Sequence, residues 1–373
     1  MISWIALNMV PGVGPRAATK LLERFGSADA VFHARRTELE SLRLKPETVE
    51  SILKREFHTK AEQEFERVKQ LGGDVLILDD GSYPNLLREI DDPPPVLYVK
   101  GDWQACFDQP SVGVIGSRTC STYGENSSEM LARDLASRGI TITSGLARGI
   151  DTAAHRGAIR GQGRTIAVMG TGLDTVYPRE NTKLTREILD AGSCLVTQFP
   201  LGTPPLKDNF PYRNRIISGL SLGVLIVEAS ERSGSLITAR LAAEQNREVM
   251  AVPGNITSGN SFGTNYLIKS GAKLVQQWQD VVSELPAEIA ASILPPKVDD
   301  KGHARPKQPV IPADLNDYER QVWSILTPDE STHIDILLET SGLSFGDLNN
   351  ALVSLDIRDL IRVLPGKNYA RRM

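Results

Sequence analysis

Cysteine is scarce in this chain. Its three copies among 373 residues, Cys106, Cys120 and Cys194, are far apart and never form a Cys-x-x-Cys pair. That argues against a disulfide framework or a zinc site and points to a reducing, cytoplasmic compartment. Long apolar runs are missing too: none approaches the roughly 20 residues that span a bilayer. The apolar start Met1–Val10 lacks the basic flank of a secretion signal, because the first Lys or Arg is Arg16. No membrane partner is expected. Nor does one sign of charge dominate. Lys plus Arg number 42 against 46 Asp plus Glu, a net charge of -4, which argues against a uniformly basic coat while allowing a local basic patch. Several signatures of catalysis are absent as well. No G-x-x-x-x-G-K-[ST] occurs, the first strand exit of the α/β region is not G-x-G-x-x-G, and Gly170-Thr171-Gly172 has no third glycine at the expected place. No Ser-His-Asp or paired-glutamate arrangement stands out. The pattern suits a binding site without a nucleophile, cofactor or metal.

What is present is an ordinary globular composition, 40% hydrophobic and 24% charged, in a chain long enough for two or three domains. Residues 1–70 read as helical, with apolar spacing in Ala17–Phe25, Leu39–Leu44 and Ala61–Leu71. There Pro11-Gly12-Val13-Gly14-Pro15 precedes a helix. It reads either as a tight turn between packed helices or as the phosphate-holding turn of a helix-hairpin-helix. Residues 71–285 form the α/β region. The runs Val75–Leu78 and Val96–Val99 read as strands of an edge extension. Further strands are Val112–Ile115, Ile140–Thr143, Thr165–Met169, Cys194–Thr197, Gly223–Val227, Glu248–Val252 and Lys273–Val275. Helical stretches between them include Glu125–Arg138, Asp151–Arg160, Lys183–Asp190 and Ser235–Gln245. Such alternation predicts a parallel sheet covered on both faces, with ligands at its carboxyl edge. Residues 286–314 carry six prolines and read as an extended linker. Residues 315–373 read as three helices and a hairpin, a winged helix. Its last helix, Ser344–Leu355, holds no Lys or Arg. The cations Arg358, Arg362, Lys367, Arg371 and Arg372 gather behind it, so this module reads as a docking unit with at most an electrostatic contact to DNA.

Four strand exits carry the candidate site. Gly116-Ser117-Arg118 is a glycine turn with a hydroxyl and a guanidinium, an anion cradle. Ser144-Gly145-Leu146-Ala147-Arg148-Gly149 offers close backbone approach and an arginine fork. It leads to Asp151 and His155 at i,i+4, which read as a capping residue and a hydrogen-bonded structural one, or as an acid–base or metal couple. Phe210-Pro211-Tyr212-Arg213-Asn214-Arg215 joins aromatics to two arginines, suited to bases and phosphates or to salt bridges. Arg232-Ser233-Gly234-Ser235 opens a helix, a local anion site. Convergence of all four on one sheet edge is more informative than any one of them.

At these residues the sequence resembles the DprA/Smf DNA-processing family. The resemblance rests on Gly116-Ser117-Arg118, on Ser144–Asp151 with Ala153-Ala154-His155, and on Phe210–Ser218. It continues through Ser233–Ala239 and Val252-Pro253-Gly254, in the family's order and spacing. It implies an extended Rossmann-like domain flanked by a helical module of the SAM or helix-hairpin-helix kind and by a winged helix. It further implies a homodimer that binds and protects single-stranded DNA and helps load RecA recombinase in natural transformation. Arg148 and Arg232 match the family's basic DNA-binding positions. Gln198 departs from the family's usual Glu, which bears on any acidic role there. Two other readings compete: a nucleotide-processing enzyme related to the lysine-decarboxylase-like family, and a protein-interaction scaffold.

Overall fold

The main sheet has nine strands: β1 (Gly73–Ile77), β2 (Val96–Gly101), β3 (Ser111–Ile115), β4 (Thr141–Ser144), β5 (Thr165–Val168), β6 (Cys194–Thr197), β7 (Gly223–Ile226), β8 (Glu248–Ala251) and β9 (Lys273–Leu274). Their spatial order in this computed structural model is β1-β2-β6-β5-β4-β3-β7-β8-β9. The structure describes residues 1–294, 312, 315–328 and 330–372. From β3 to β9 every pairing is parallel, while β2 joins β6 antiparallel and β1 joins β2 antiparallel. The chain runs outward from β3 through β4, β5 and β6, then returns to place β7 on β3's other side. That reversal opens a crevice at the carboxyl ends of β3 and β7, where open α/β sheets bind ligands.

Both faces of the sheet are covered because neighbouring strand residues point to opposite sides. On β2, Val96 and Tyr98 join one core while Leu97 and Val99 join the other. The helices Thr122–Ala136 and Ile150–Arg160 bury Leu131, Leu135, Ile150 and Ala154 against Val112, Val114 and Ile142. On the opposite face, Asn209–Gly219 and Gly234–Glu244 contribute Ile216, Ile217, Ala239 and Ala242.

The helical N-terminal region extends this fold instead of standing apart from it. Trp4, Ile5, Leu7, Leu21 and Ile52 belong to the same core as Val75, Val96, Tyr98 and Leu195. Its Pro11–Pro15 turn is fixed by packing, with the Thr48 hydroxyl donating to the Pro11 carbonyl (2.8 Å). The expected linker needs correction at its start. Ala287–Ile293 is a helix, and Ile289, Ala290 and Ile293 pack against the β3–β4 core, because their apolar spacing outweighs the flanking prolines. Residues 295–311, 313 and 314 lie outside the described residues.

In the winged helix, Asp317–Ile325, Ile334–Ser341 and Phe345–Ile357 pack around Val322, Trp323, Leu337 and Leu352. A three-stranded sheet of Thr332–His333, Ile361–Leu364 and Asn368–Arg371 completes it. It seats on the α/β domain. Arg362 pairs with Glu125 (2.7 Å) and Glu129 (3.3 Å), and Arg160 with Asp359 (3.2 Å). The basic tail is therefore largely engaged within the chain: Arg358 pairs with Glu319, Arg372 with Asp359, and Arg371 stacks on Trp323.

Candidate functional site

Three strand exits are tied to one another by backbone bonds. The Ser117 N–H donates to the Glu228 carbonyl beyond β7 (2.8 Å), and the Ser117 carbonyl accepts from the Ile150 N–H beyond β4 (3.2 Å). The buried Glu228 carboxylate accepts from the N–H and hydroxyl of Ser121, so the loop that follows Arg118 is held from beneath. Gly149 makes the second tie possible. Its φ of 74° is a left-handed value, and a Cβ there would fall 2.4 Å from the Ser117 carbonyl oxygen. A larger residue would force the two loops apart.

The loop bearing Arg148 rests on two buried charged groups. Asp151 accepts from the N–H groups of Gly145 (3.1 Å) and Ala147 (3.4 Å). It thus braces the preceding loop and does not cap its own helix. Arg213 donates to the carbonyls of Gly145 (2.6 Å) and Val168, pinning the ends of β4 and β5 to the Asn209–Gly219 helix. Burial pushes the Asp151 carboxyl upward, opposed by the Arg213 charge, and pushes Arg213 down to about 10. Gly145 lies between them, where a Cβ would come within 2.6 Å of Asp151 Oδ2 and 2.7 Å of Arg213 Nη2.

Above this base is a cleft of about 390 Å³ lined by Gly116, Ser117, Arg118, Phe210, Arg213, Asn214, Ser233, Gly234 and Ser235. An adjoining cavity of about 130 Å³ shares Arg118, Phe210 and Arg213 and adds Gly145, Arg148 and Tyr177. Ser233 caps the Gly234–Glu244 helix, its hydroxyl accepting from the Ser235 N–H (3.3 Å). The positive end of that helix dipole faces the cleft. Arg118 stacks over Phe210 at 5.3 Å, and the Tyr177 and Phe210 rings lie 5.3 Å apart. Arg118 and Arg148 are exposed in these linings, and the exposed Arg232 directly precedes the Ser233 that lines the cleft. Cationic rim, helix N-terminus and aromatic wall can together hold a phosphate beside a planar base.

Most expected residues thus line these cavities, but Ser144, Gly149, Arg215 and Arg232 do not. Ser144 is fully buried, and its hydroxyl donates to the Val114 carbonyl (2.6 Å), so it braces neighbouring strands. Arg215 is also buried. It donates to Gln198 Oε1 (2.5 Å), stacks on Tyr212 and stands near Asp92 (3.6 Å). The expectation that Ser144 and Arg215 meet a ligand directly is corrected, since both are spent on the interior. Arg213 lines the cleft with Nη1 bonded to the two carbonyls, while its buried Nε has no hydrogen-bond partner among the described residues. The Gln198 departure has its account here, since its side-chain oxygen serves Arg215. His155 is structural, its Nδ1–H donating to Thr165 Oγ1 (2.7 Å), and among the described residues no His, Cys, Asp and Glu cluster suits a metal ion. Sequence reasoning missed Tyr177 and the brace formed by Glu228. Tyr177 follows a glycine turn without a phosphate signature, and only the fold carries it to Phe210.

Comparison with known proteins agrees with this geometry. Residues 74–286 match the family DNA recombination-mediator protein A, and residues 305–367 match the DprA winged helix domain. Protein Smf of Escherichia coli is 41% identical over 297 residues, 80% of this chain and 77% of that protein. Protein Smf of Synechocystis is 35% identical over 99% of this chain and 98% of its own length. The X-ray structure of DNA processing protein A from Streptococcus pneumoniae superimposes with a TM-score of 0.68 at 37% identity, covering 77% of this chain and 98% of that one. The Helicobacter pylori protein, described for its single-stranded DNA binding mode, gives 0.51 at 32% identity over 57% and 94%.

Proposed function

This chain belongs to the DprA/Smf family of DNA recombination mediators, and from that premise we propose that its cleft holds single-stranded DNA. The observation that carries the reading is the convergence of three strand exits and one capped helix N-terminus on a cleft lined by the exposed Arg118 and Arg148 and an aromatic wall, with the exposed Arg232 next to Ser233. Phosphates meet Arg118, Arg148, Arg232 and the Ser233–Ser235 amides, while a base unstacks onto Phe210. A flexible strand reaches such a cleft, and a stacked duplex keeps its bases out of it. In this reading the protein protects incoming strands and helps load RecA recombinase during natural transformation, a mediator's role that needs no bond-breaking residue. The free thiols of Cys106, Cys120 and Cys194 fit a cytoplasmic setting. A homodimer through the α/β domain is supported by exposed Ile256, Phe262, Tyr266 and Leu274 near the β8–β9 edge.

Fluorescence anisotropy in matched salt tests the proposal. Single strands should bind far more tightly than duplex of equal length, with little sequence preference. Replacing Arg148 and Arg232 together by Ala should weaken binding about ten- to a hundredfold, since charged contacts contribute on the order of 1 kcal/mol or more each. It should also flatten the salt slope by about 0.7 for each phosphate no longer neutralised, with the thermal midpoint nearly unchanged. Equal affinity for duplex, or normal binding by the double variant, would refute it.

A further inference from the structure

Two exposed arginines, Arg118 and Arg148, line the cleft and its adjoining cavity, and a third, Arg232, precedes the Ser233 lining residue, but they differ in one respect. Arg118 and Arg232 make no ion pair among the described residues, whereas Arg148 Nη2 lies 2.5 Å from Glu180 Oε1. We propose that Glu180 is a built-in counter-ion for Arg148, a carboxylate that occupies the position of a DNA phosphate until a strand displaces it. This deepens the reading of Arg148 as a phosphate contact and rests on it.

The two residues are 32 positions apart in the chain, and the fold places them together. Glu180 lies in the short turn Arg179–Asn181, whose last residue is buried and anchored. Asn181 Nδ2 donates to the Leu146 carbonyl (2.9 Å) and to Thr152 Oγ1 (2.9 Å), and the Thr152 hydroxyl donates to the Ala147 carbonyl (2.7 Å). The turn is therefore stitched to the very loop that ends in Arg148. The same segment brings Tyr177 against Phe210, and Tyr177 and Pro178 line the cavity that Arg148 shares, so Glu180 follows that lining by two residues and reaches it through Arg148.

A carboxylate presents oxygens to a guanidinium much as a phosphate does. Hydrogen bonds from its own backbone N–H and from Arg148 hold the Glu180 carboxyl below its ordinary value, so it is ionised at neutral pH. Both side chains are 62% exposed, and exposed pairs are weak. A polyanion anchored at Arg118, Arg232 and the helix N-terminus displaces such a partner readily, while a single small anion lacking those anchors competes poorly. The pair also alters the thermodynamics of binding. A phosphate that displaces Glu180 leaves that carboxylate uncompensated beside the strand, where it retains a cation, so the wild-type salt slope falls short of the number of phosphates bound.

The test is a double-mutant cycle with a labelled oligothymidylate, measured by anisotropy over a series of salt concentrations. Glu180→Gln should tighten binding about three- to tenfold at low salt and steepen the slope of log affinity against log salt by about 0.7. In an Arg148→Ala background the same substitution should have a clearly smaller effect on both quantities, since only general repulsion remains. If Arg148→Ala weakens binding but Glu180→Gln leaves affinity and slope as they were, the counter-ion role is wrong and the reading of Arg148 survives. Equal tightening in both backgrounds would assign the effect to general charge and also overturn it. Unchanged binding by Arg148→Ala would remove the reading itself.

Discussion

His155 and Asp151 share one face of the same helix, yet they answer to different neighbours. Asp151 turns back to brace the Gly145–Ala147 amides, while His155 is sealed against Thr165, whose hydroxyl donates onward to the Ile142 carbonyl. Burial pushes the His155 imidazole down to about 3, whereas in the unfolded chain it titrates near 6.5. Between those values the unfolded state binds a proton that the native state refuses. This histidine therefore removes stability as pH falls below about 6.5, at up to roughly 1.4 kcal/mol per pH unit. Urea unfolding at pH 7.5, 6.5 and 5.5 should show wild type losing stability more steeply than His155→Gln, which keeps a hydrogen-bonding group but cannot titrate. Parallel losses would show that His155 is not the titrating group.

The strand exits act as a unit because backbone bonds tie them. Gly149→Ala places a Cβ against the Ser117 carbonyl at a positive φ and should cost about 1–3 kcal/mol, measured by urea unfolding, with weaker single-strand binding because Arg148 shifts. Gly234→Ala is the control. Nothing lies within 4 Å of a Cβ there, so stability should change by less than about 0.5 kcal/mol. If the two substitutions cost the same, the tie between the loops is unimportant. At this scale the sequence was a good guide where one period dominated: β6 has its expected bounds, and β3, β5 and β7 end within one residue of theirs. Within the region read as helical it did not mark Ile2–Met9 as a separate helix, because nearly continuous apolarity hides the period. It also missed Asn209–Gly219, where Pro211 and a run of polar residues obscure a helix whose first turn tolerates proline.

Among the described residues, exposed apolar side chains gather near the β8–β9 edge, as others do on the winged helix at Phe345, Val353 and Ile357. Phe262 and Tyr266 stand one turn apart on the Phe262–Lys269 helix, 53% and 60% exposed, with Ile256 at 93%. In the proposed homodimer a second copy would cover this patch. Phe262→Glu with Tyr266→Glu should convert a dimer to a monomer in sedimentation velocity without loss of fold. A monomeric wild type, or an unchanged dimer, would remove this face from the assembly. The winged helix, by contrast, is held to its own chain by Arg362 and Arg160, so its attachment should weaken as salt rises.

The alternation of short apolar runs with amphipathic stretches was enough to determine a parallel sheet covered on both faces, because that periodicity is local and set by burial. Glycine and serine at the turns likewise marked the strand exits as the candidate site. Which arginines reach the cleft was decided only by tertiary structure. Arg213 and Arg215 share a motif with Phe210, but their helix turns them inward to Gly145 and Gln198, while Arg148 and Arg232 remain outside. The pairing of Arg148 with Glu180, the brace from Glu228 and the seating of the wing on Glu125 and Glu129 join residues far apart in the chain. A guanidinium's role depends on which acceptors the fold brings within hydrogen-bonding distance, and no local pattern encodes that.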